Sequence, residues 1–232
     1  MIAHPALKPH RHRPSQERKA VRAPIPRAWP DSTIVLIANG PSLSKPQIGS
    51  AYQSWIERRV RVLGCNDAYR IAPWIDGLYA CDLKWWTHHI EPVRDLHMAM
   101  LFTQDAQAAD QYGLWHIPSR CQTGLSAYSG YIHTGQGGAH SGFQLLNLAV
   151  HLGAKRIILI GYDCGTPDMQ RKHWFGNHPP PLDMNPFYST WAAPYRDAAP
   201  QLFKLGVEVI NCTPGSAIDC FPRSRIGAVL GT

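Results

Sequence analysis

Thr33-Ile-Val-Leu-Ile37 and Arg156-Ile-Ile-Leu-Ile160 are short aliphatic, β-branched runs with no polar alternation. A strand with one face in water alternates polar and apolar residues. Runs of this kind belong to strands buried on both faces, as in a parallel sheet covered by helices. Each run meets a breaker at once: Ala38-Asn-Gly-Pro-Ser-Leu43 after the first, Gly161-Tyr162-Asp163 after the second. Three more runs follow the same rule. Val60–Gly64 leads into Cys65-Asn66-Asp67, Gly77–Ala80 into Cys81-Asp82, and Val207–Ile210 into Cys212-Thr-Pro-Gly-Ser216. Helices fit between them. One is capped by Ser42 or Ser44 and runs to about residue 58. Ser141–Leu152 carries Phe143, Leu146 and Val150 at helical spacing and stops at Gly153. A third covers Pro194–Leu205. Residues 90–135 carry no decisive period; His97–Thr103 and Tyr112–Ile117 read as strands. Residues 124–138 read as a loop, and 166–195 as a long Pro-, His- and aromatic-rich segment. The alternation predicts an α/β fold: a Rossmann-like three-layer α/β/α domain with a mainly parallel sheet. Ligands of such sheets bind beyond the carboxyl ends of the strands, so the five strand-end loops are the places to look for chemistry.

The net charge of +7 points first to a nucleic-acid partner. Its distribution changes that reading. Residues 1–30 hold Lys8, Arg11, Arg13, Arg18, Lys19, Arg22 and Arg27 against Glu17 alone, a net +6. The remaining residues are nearly neutral. Six prolines and almost no apolar periodicity make residues 1–30 a flexible basic arm, with 31–232 as one folded domain. Any acidic or nucleic-acid contact is expected through that arm. With 44% hydrophobic residues the rest can bury a core, which excludes a wholly disordered chain. Cys65, Cys81, Cys121, Cys164, Cys212 and Cys220 form no CxxC pair, and the N-terminus lacks an apolar secretory stretch. Reduced thiols and a cytoplasmic location are expected. No apolar run approaches the ~18 residues of a membrane span.

Several loops can carry chemistry. Asn39-Gly40-Pro41-Ser42 is a turn at a strand end where a helix begins; its N–H groups and the helix dipole suit an anion, though an ordinary turn has the same composition. It is neither GxxxxGK[ST] nor GxGxxG. Gly135-Gln-Gly-Gly-Ala-His-Ser141-Gly142 allows close approach of a ligand, and Ser141 can cap the helix or bond a phosphate. His173-Trp-Phe-Gly-Asn-His178 places two histidines among aromatics. Either can be a general base or a purely structural group; metal ligation with Asp163 or Cys164 is a further possibility. No Asp-x-Asp pair occurs, so the usual carboxylate clamp for a nucleotide-sugar metal is missing. Thr213, Pro214, Gly215 and Ser216 form a hydroxyl-bearing loop that serves as a turn or binds a nucleotide.

Taken in order, Ile37-Ala-Asn-Gly-Pro-Ser-Leu43, Cys65-Asn66, Ser141-Gly142, Leu152-Gly-Ala-Lys-Arg-Ile-Ile-Leu-Ile-Gly-Tyr-Asp163, His178 and Cys212-Thr-Pro-Gly-Ser216 resemble the bacterial sialyltransferases of glycosyltransferase family 42. They also resemble the related motility accessory factors and 6-hydroxymethylpterin diphosphokinase-like proteins. The resemblance spans about residues 33–222, and the N-G-P-S-L turn is its most specific part. Phage-encoded proteins share the whole set, in keeping with a viral or prophage origin and then a host-cytoplasm location.

The resemblance implies a GT-A-like variant of the Rossmann-like fold. It also implies a metal-independent glycosyltransferase using a nucleotide-activated, CMP-type donor with no tightly bound cofactor. The acceptor, whether glycan, small molecule or nucleic acid, is not specified. Asn39, Asn66 and Ser141 match donor contacts, and Cys212–Ser216 matches an element lining the nucleotide pocket. The donor-binding set is then Asn39, Gly40, Pro41, Ser42, Asn66, Ser141, Gly142, Asp163, Thr213, Pro214, Gly215 and Ser216, with no metal site. The family's His-x-x-Gly-His falls on His173–His178 with one residue inserted. His178 is the expected base and His173 the other candidate. One departure is clear. The family's two phosphate-binding tyrosines precede the histidine in a lid, whereas only Thr166–Lys172 separates Asp163 from His173 here. Tyr188, Tyr195, Arg171 and Lys172 are the groups available in their place. Two alternatives stay open: Mg²⁺-dependent pyrophosphoryl transfer, with Asp82 and Asp163 as metal holders, and a non-catalytic nucleotide-binding module.

Overall fold

The computed structural model describes residues 24–96, 100–127, 130–135, 140–165, 171–180, 182 and 190–232. Residues 1–23 of the basic arm, most of Thr166–Lys172 and Tyr188 lie outside the described residues. So do 97–99 of the expected strand 97–103 and five residues of the 124–138 loop.

The chain runs through β1 (Ser32–Ile37), α1 (Lys45–Ile56), β2 (Arg61–Cys65), β3 (Gly77–Tyr79), α2 (Leu83–Arg94), β4 (Met100–Thr103), α3 (Ala106–Tyr112) and β5 (Trp115–His116). It continues through β6 (Ser119–Arg120), β7 (Ile132–His133), α4 (Ser141–Leu152), β8 (Ala154–Ile160), α5 (Ala193–Lys204), β9 (Glu208–Asn211) and α6 (Ile226–Leu230). A short 3-10 turn, Asn66–Arg70, follows β2. Seven strands form one sheet in the order β5-β4-β3-β2-β1-β8-β9, every pair parallel. β6 and β7 form a separate two-stranded parallel ribbon.

The period of two explains the layers. In β1, Ile34 and Leu36 face one side and pack with Phe143 and Leu146 of α4 and Leu202 of α5. Val35 and Ile37 face the other and pack with Ile48 of α1 and Trp86 of α2. All four β1 side chains are fully buried, worth about 1.5–3 kcal/mol each. No polar position was available for water, as the run Ile34–Ile37 required. The chain builds outward from β1 through β2 to β5, then returns to place β8 on the other side of β1. The direction of winding therefore reverses between β1 and β8. Such a switch point opens a crevice at the carboxyl ends of the two strands.

The middle of the chain differs from expectation. Leu83–Arg94 is helical despite Pro92, because Trp85, Trp86, Ile90 and Val93 share one buried face. Tyr112 ends α3, so the expected strand 112–117 is reduced to Trp115–His116. α3 is capped by Asp105, whose side chain accepts from Ala108 N. Residues 24–30 are packed: Ile25 and Trp29 lie against the core, and Trp29 N donates to Leu152 O at 2.8 Å. Among the described residues no helix is long and apolar enough to cross a membrane, and the six cysteines are free thiols.

Candidate functional site

The two switch-point loops are locked face to face. Gly40 N donates to Gly161 O at 2.8 Å, and a Cβ on Gly40 would lie 1.8 Å from Asp163 Oδ2 and 2.6 Å from Gly161 O. Only hydrogen fits. Gly161 has φ +73°, and a Cβ there would lie 2.6 Å from Ala38 O. Asp163 closes the arrangement: Oδ1 accepts from Ser42 N at 3.1 Å and Oδ2 from Ser42 Oγ at 2.9 Å. Burial pushes its carboxyl up, and the two Ser42 bonds oppose that shift. Ser42 therefore holds the turn, and Ser44 is the N-cap of α1, with its N–H given to Gln47 Oε1.

Asn39 joins three segments. Its Nδ2 donates to Cys65 O at 2.8 Å, and its Oδ1 accepts from Trp174 Nε1 at 3.1 Å. Its carbonyl also accepts from Trp174 N. The N-G-P-S turn is thus tied to the end of β2 and to the histidine loop. Asn66 follows β2 with φ +47°, a left-handed conformation that asparagine tolerates. Its Oδ1 accepts from Ser141 Oγ at 3.3 Å; Ser141 Oγ lies 2.9 Å from Cys81 Sγ. Behind them Gln144 Oε1 accepts from Cys81 Sγ and Tyr79 Oη. This chain fixes the first turn of α4, which no side chain caps. Ser141 and Gly142 of that turn line the crevice, and a helix N-terminus there suits an anion.

The histidine loop lies across the mouth. His173 and His178 have ring centroids 4.7 Å apart, and Phe175 stacks on His173 at 5.0 Å. His178 Nδ1 is buried, 3.9 Å from Oδ2 of Asp67. Asp67 is 1% exposed; its Oδ2 accepts from Trp85 Nε1 and its Oδ1 from Arg70 Nη1. The Arg70 guanidinium carbon sits 5.0 Å from the Phe175 ring centre. Burial, then the neighbouring His178, pull the His173 pKa down to about 4, so its ring is neutral at pH 7.

These parts enclose a cavity of about 250 Å³. Of the expected residues, Asn39, Gly40, Pro41, Asn66, Ser141, Gly142, Asp163, Gly215, His173 and His178 line it. Ser42, Thr213, Pro214 and Ser216 do not. Thr213 Oγ accepts from Tyr162 N, and Ser216 Oγ donates to Tyr162 O at 2.6 Å. Both hydroxyls hold the backbone of the Gly161–Asp163 loop, and Pro214 is exposed. Arg171 folds onto its own loop through Trp174 O, whereas Lys172, 6% exposed, lines the cavity. Asp82 and Asp163 do not converge: β2 and β1 stand between their strands, three spacings or about 14 Å. Among the described residues no three His, Cys, Asp or Glu side chains are placed to hold a metal ion.

The residues alone did not single out Asp67, which lies behind His178 and outside the lining, or His140, which is in the lining. Asp67 carried a faint signal, a carboxylate just past a strand end. His140 precedes the expected Ser141. Its ring stacks on Trp191 at 4.9 Å, its Nε2 lies 3.2 Å from Trp191 O, and burial pulls its pKa down to about 4. Histidines held neutral in the fold bind protons more readily when unfolded, so stability is full above about pH 6.5 and falls toward pH 4. His140 and His173 should each cost about 2 kcal/mol between pH 7 and pH 5. Urea unfolding at the two pH values is expected to show the loss, reduced by roughly half in His140→Asn.

No protein-family model matches the chain, and no curated protein matches it in sequence. Among solved structures, the chain is similar to the MAf glycosyltransferase from Magnetospirillum magneticum AMB-1, with TM-score 0.59 and 15% identity. The match covers 91% of this chain and 37% of that one, so the chain spans little more than a third of its neighbour's length. The likeness shows the fold: a Rossmann-like core that a glycosyltransferase also uses. A short chain dehydrogenase from Mycobacterium smegmatis aligns at TM-score 0.28 and 10% identity, too weak to carry an argument.

Proposed function

We propose that the chain transfers a glycosyl group from a nucleotide-activated donor, CMP-linked by its resemblance to family 42, to a hydroxyl acceptor. The observation that carries this reading is that His178 lines the switch-point cavity together with the glycine turn and the first residues of α4. The donor phosphate lies against the N–H groups of α4, with the Lys172 ammonium beside it. His178 takes the proton of the acceptor hydroxyl as its oxygen bonds the anomeric carbon. The bond to phosphate breaks, its electron pair leaves with the nucleotide, and fixed N–H donors and Lys172 stabilise that charge. The neighbouring fold of a MAf glycosyltransferase supports the same class. The loop between Asp163 and His173 is too short for the family's tyrosine lid, and Lys172 takes its place in this reading.

A thermal-shift screen of CMP, UDP, GDP and ADP sugars tests the proposal, with turnover followed with and without EDTA. One donor class is expected to stabilise the chain by RT ln(1 + [L]/Kd), about 2.7 kcal/mol at a hundredfold excess over Kd, and transfer should survive EDTA. Activity that EDTA abolishes favours pyrophosphoryl transfer. Binding with no product from any donor–acceptor pair leaves a nucleotide-binding module.

A further inference from the structure

We propose that Asp67 is the positioning residue for His178, a role that rests on His178 being the base. Asp67 is buried at the foot of the 3-10 turn after β2, its Oδ2 3.9 Å from the buried His178 Nδ1. At 3.9 Å the two are in ion-pair contact and beyond hydrogen-bond distance; catalytic hydrogen bonds are commonly long in ligand-free sites and tighten when substrate binds. The carboxylate cannot drift. Trp85 Nε1 of α2 holds Oδ2 at 3.1 Å, and Arg70 Nη1 holds Oδ1 at 3.2 Å. Arg70 also stacks on Phe175 and Trp174 of the histidine loop, so it fixes the loop and the carboxylate together.

The described groups shown against His178 come from three elements: Asp67 from the 3-10 turn, His89 from α2, and His173 and Phe175 from the loop itself. Asp67 is the acidic residue among them. A neutral imidazole carries one proton. Directed at Asp67, that proton sits on Nδ1 and leaves the lone pair on Nε2, the nitrogen that acts as base in the proposed transfer. When Nε2 takes the acceptor's proton, Asp67 is placed to balance the imidazolium that forms.

The test is ¹⁵N NMR of the histidine side chains in the full chain at pH 7, with His178 assigned by the signal lost in His178→Ala. The wild-type chain should show Nδ1 protonated and Nε2 bare. In Asp67→Asn the proton should move wholly or partly to Nε2. With the donor found by the screen, kcat should fall on the order of 10²-fold, the low end of what proton transfer contributes, with donor KM unchanged. An Nε2-protonated wild type, or a spectrum that Asp67→Asn leaves unchanged, overturns the proposal. If Asp67→Asn does not fold, the wild-type spectrum decides alone. The spectra need no donor, so the two readings fail separately. The expected tautomer without transfer from any nucleotide sugar removes glycosyl transfer only. Transfer that requires His178 while its proton sits on Nε2 removes the Asp67 role only.

Discussion

In His178→Ala, transfer is expected to fall by about 10²–10⁴-fold, the range that a positioned base contributes. Nucleotide-sugar affinity should stay within roughly threefold. The two effects separate because His178 comes from the histidine loop, whereas the groups that can hold the nucleotide come from the turns after β1, β2 and β8 and from α4. Removing the imidazole leaves the Gly40–Gly161 contact and the Asn39 bonds in place. His173 cannot take over. Its pKa of about 4 makes it a weak base at pH 7, and its ring stacks on Phe175 and meets His178 edge-on. Stopped assays with the cognate donor, beside calorimetric titration of the same variant, check both halves. Unchanged turnover removes His178 from the mechanism.

Gly40→Ala should be the most damaging small substitution in the cavity wall. The added methyl would meet Asp163 Oδ2 at 1.8 Å, Asp163 Cγ at 2.5 Å and Gly161 O at 2.6 Å. The carboxylate can turn away only by giving up both Ser42 bonds, and the carbonyl of Gly161 is main chain. Overpacking costs about 1–3 kcal/mol, and each lost hydrogen bond about 1 kcal/mol more. A stability loss of about 3 kcal/mol is expected, with nucleotide affinity down by more than about tenfold. Gly49→Ala in α1 is the control: no atom lies within 4 Å of its Cβ position, and alanine favours a helix by up to about 1 kcal/mol. Urea denaturation of the two variants separates a local clash from a general intolerance of alanine. Equal stability for both would show that the turn has room to relax.

The sheet was legible because burial on two faces leaves a plain mark. β1 and β8 have no polar alternation, and the sequence order of their breakers places them at one end of the sheet. α2 was not legible. Trp85, Trp86, Thr87, His88, His89, Ile90 and Pro92 are poor helix formers, and tertiary packing of Trp86 and Ile90 overrides propensity there. The site was legible where chemistry and backbone coincide. Asn39, Gly40 and Ser141 are needed as they stand, whatever else they do. Direction was not legible. Thr213 and Ser216 carry hydroxyls in a strand-end loop, yet both turn inward to Tyr162. Nor could spacing along the chain bring Asp67 to His178, since that contact depends on how the loop crosses the mouth between Asn39 and Arg70.

The cavity wall carries Lys172, two histidines held neutral and Asp163 bound to Ser42; in the proposed transfer it meets a phosphate of limited charge rather than a polyanion. Most of the chain's net positive charge instead falls in the sequence ahead of Pro24, in the segment read as the arm.

The most direct measurement is a crystal structure of the full chain soaked with the nucleotide sugar that the screen selects. The donor phosphate is expected at the first turn of α4, beside Gly40 and Lys172, with the anomeric carbon facing His178 Nε2. A nucleotide bound elsewhere on the chain, or seated with its sugar turned away from His178, would contradict the proposed transfer.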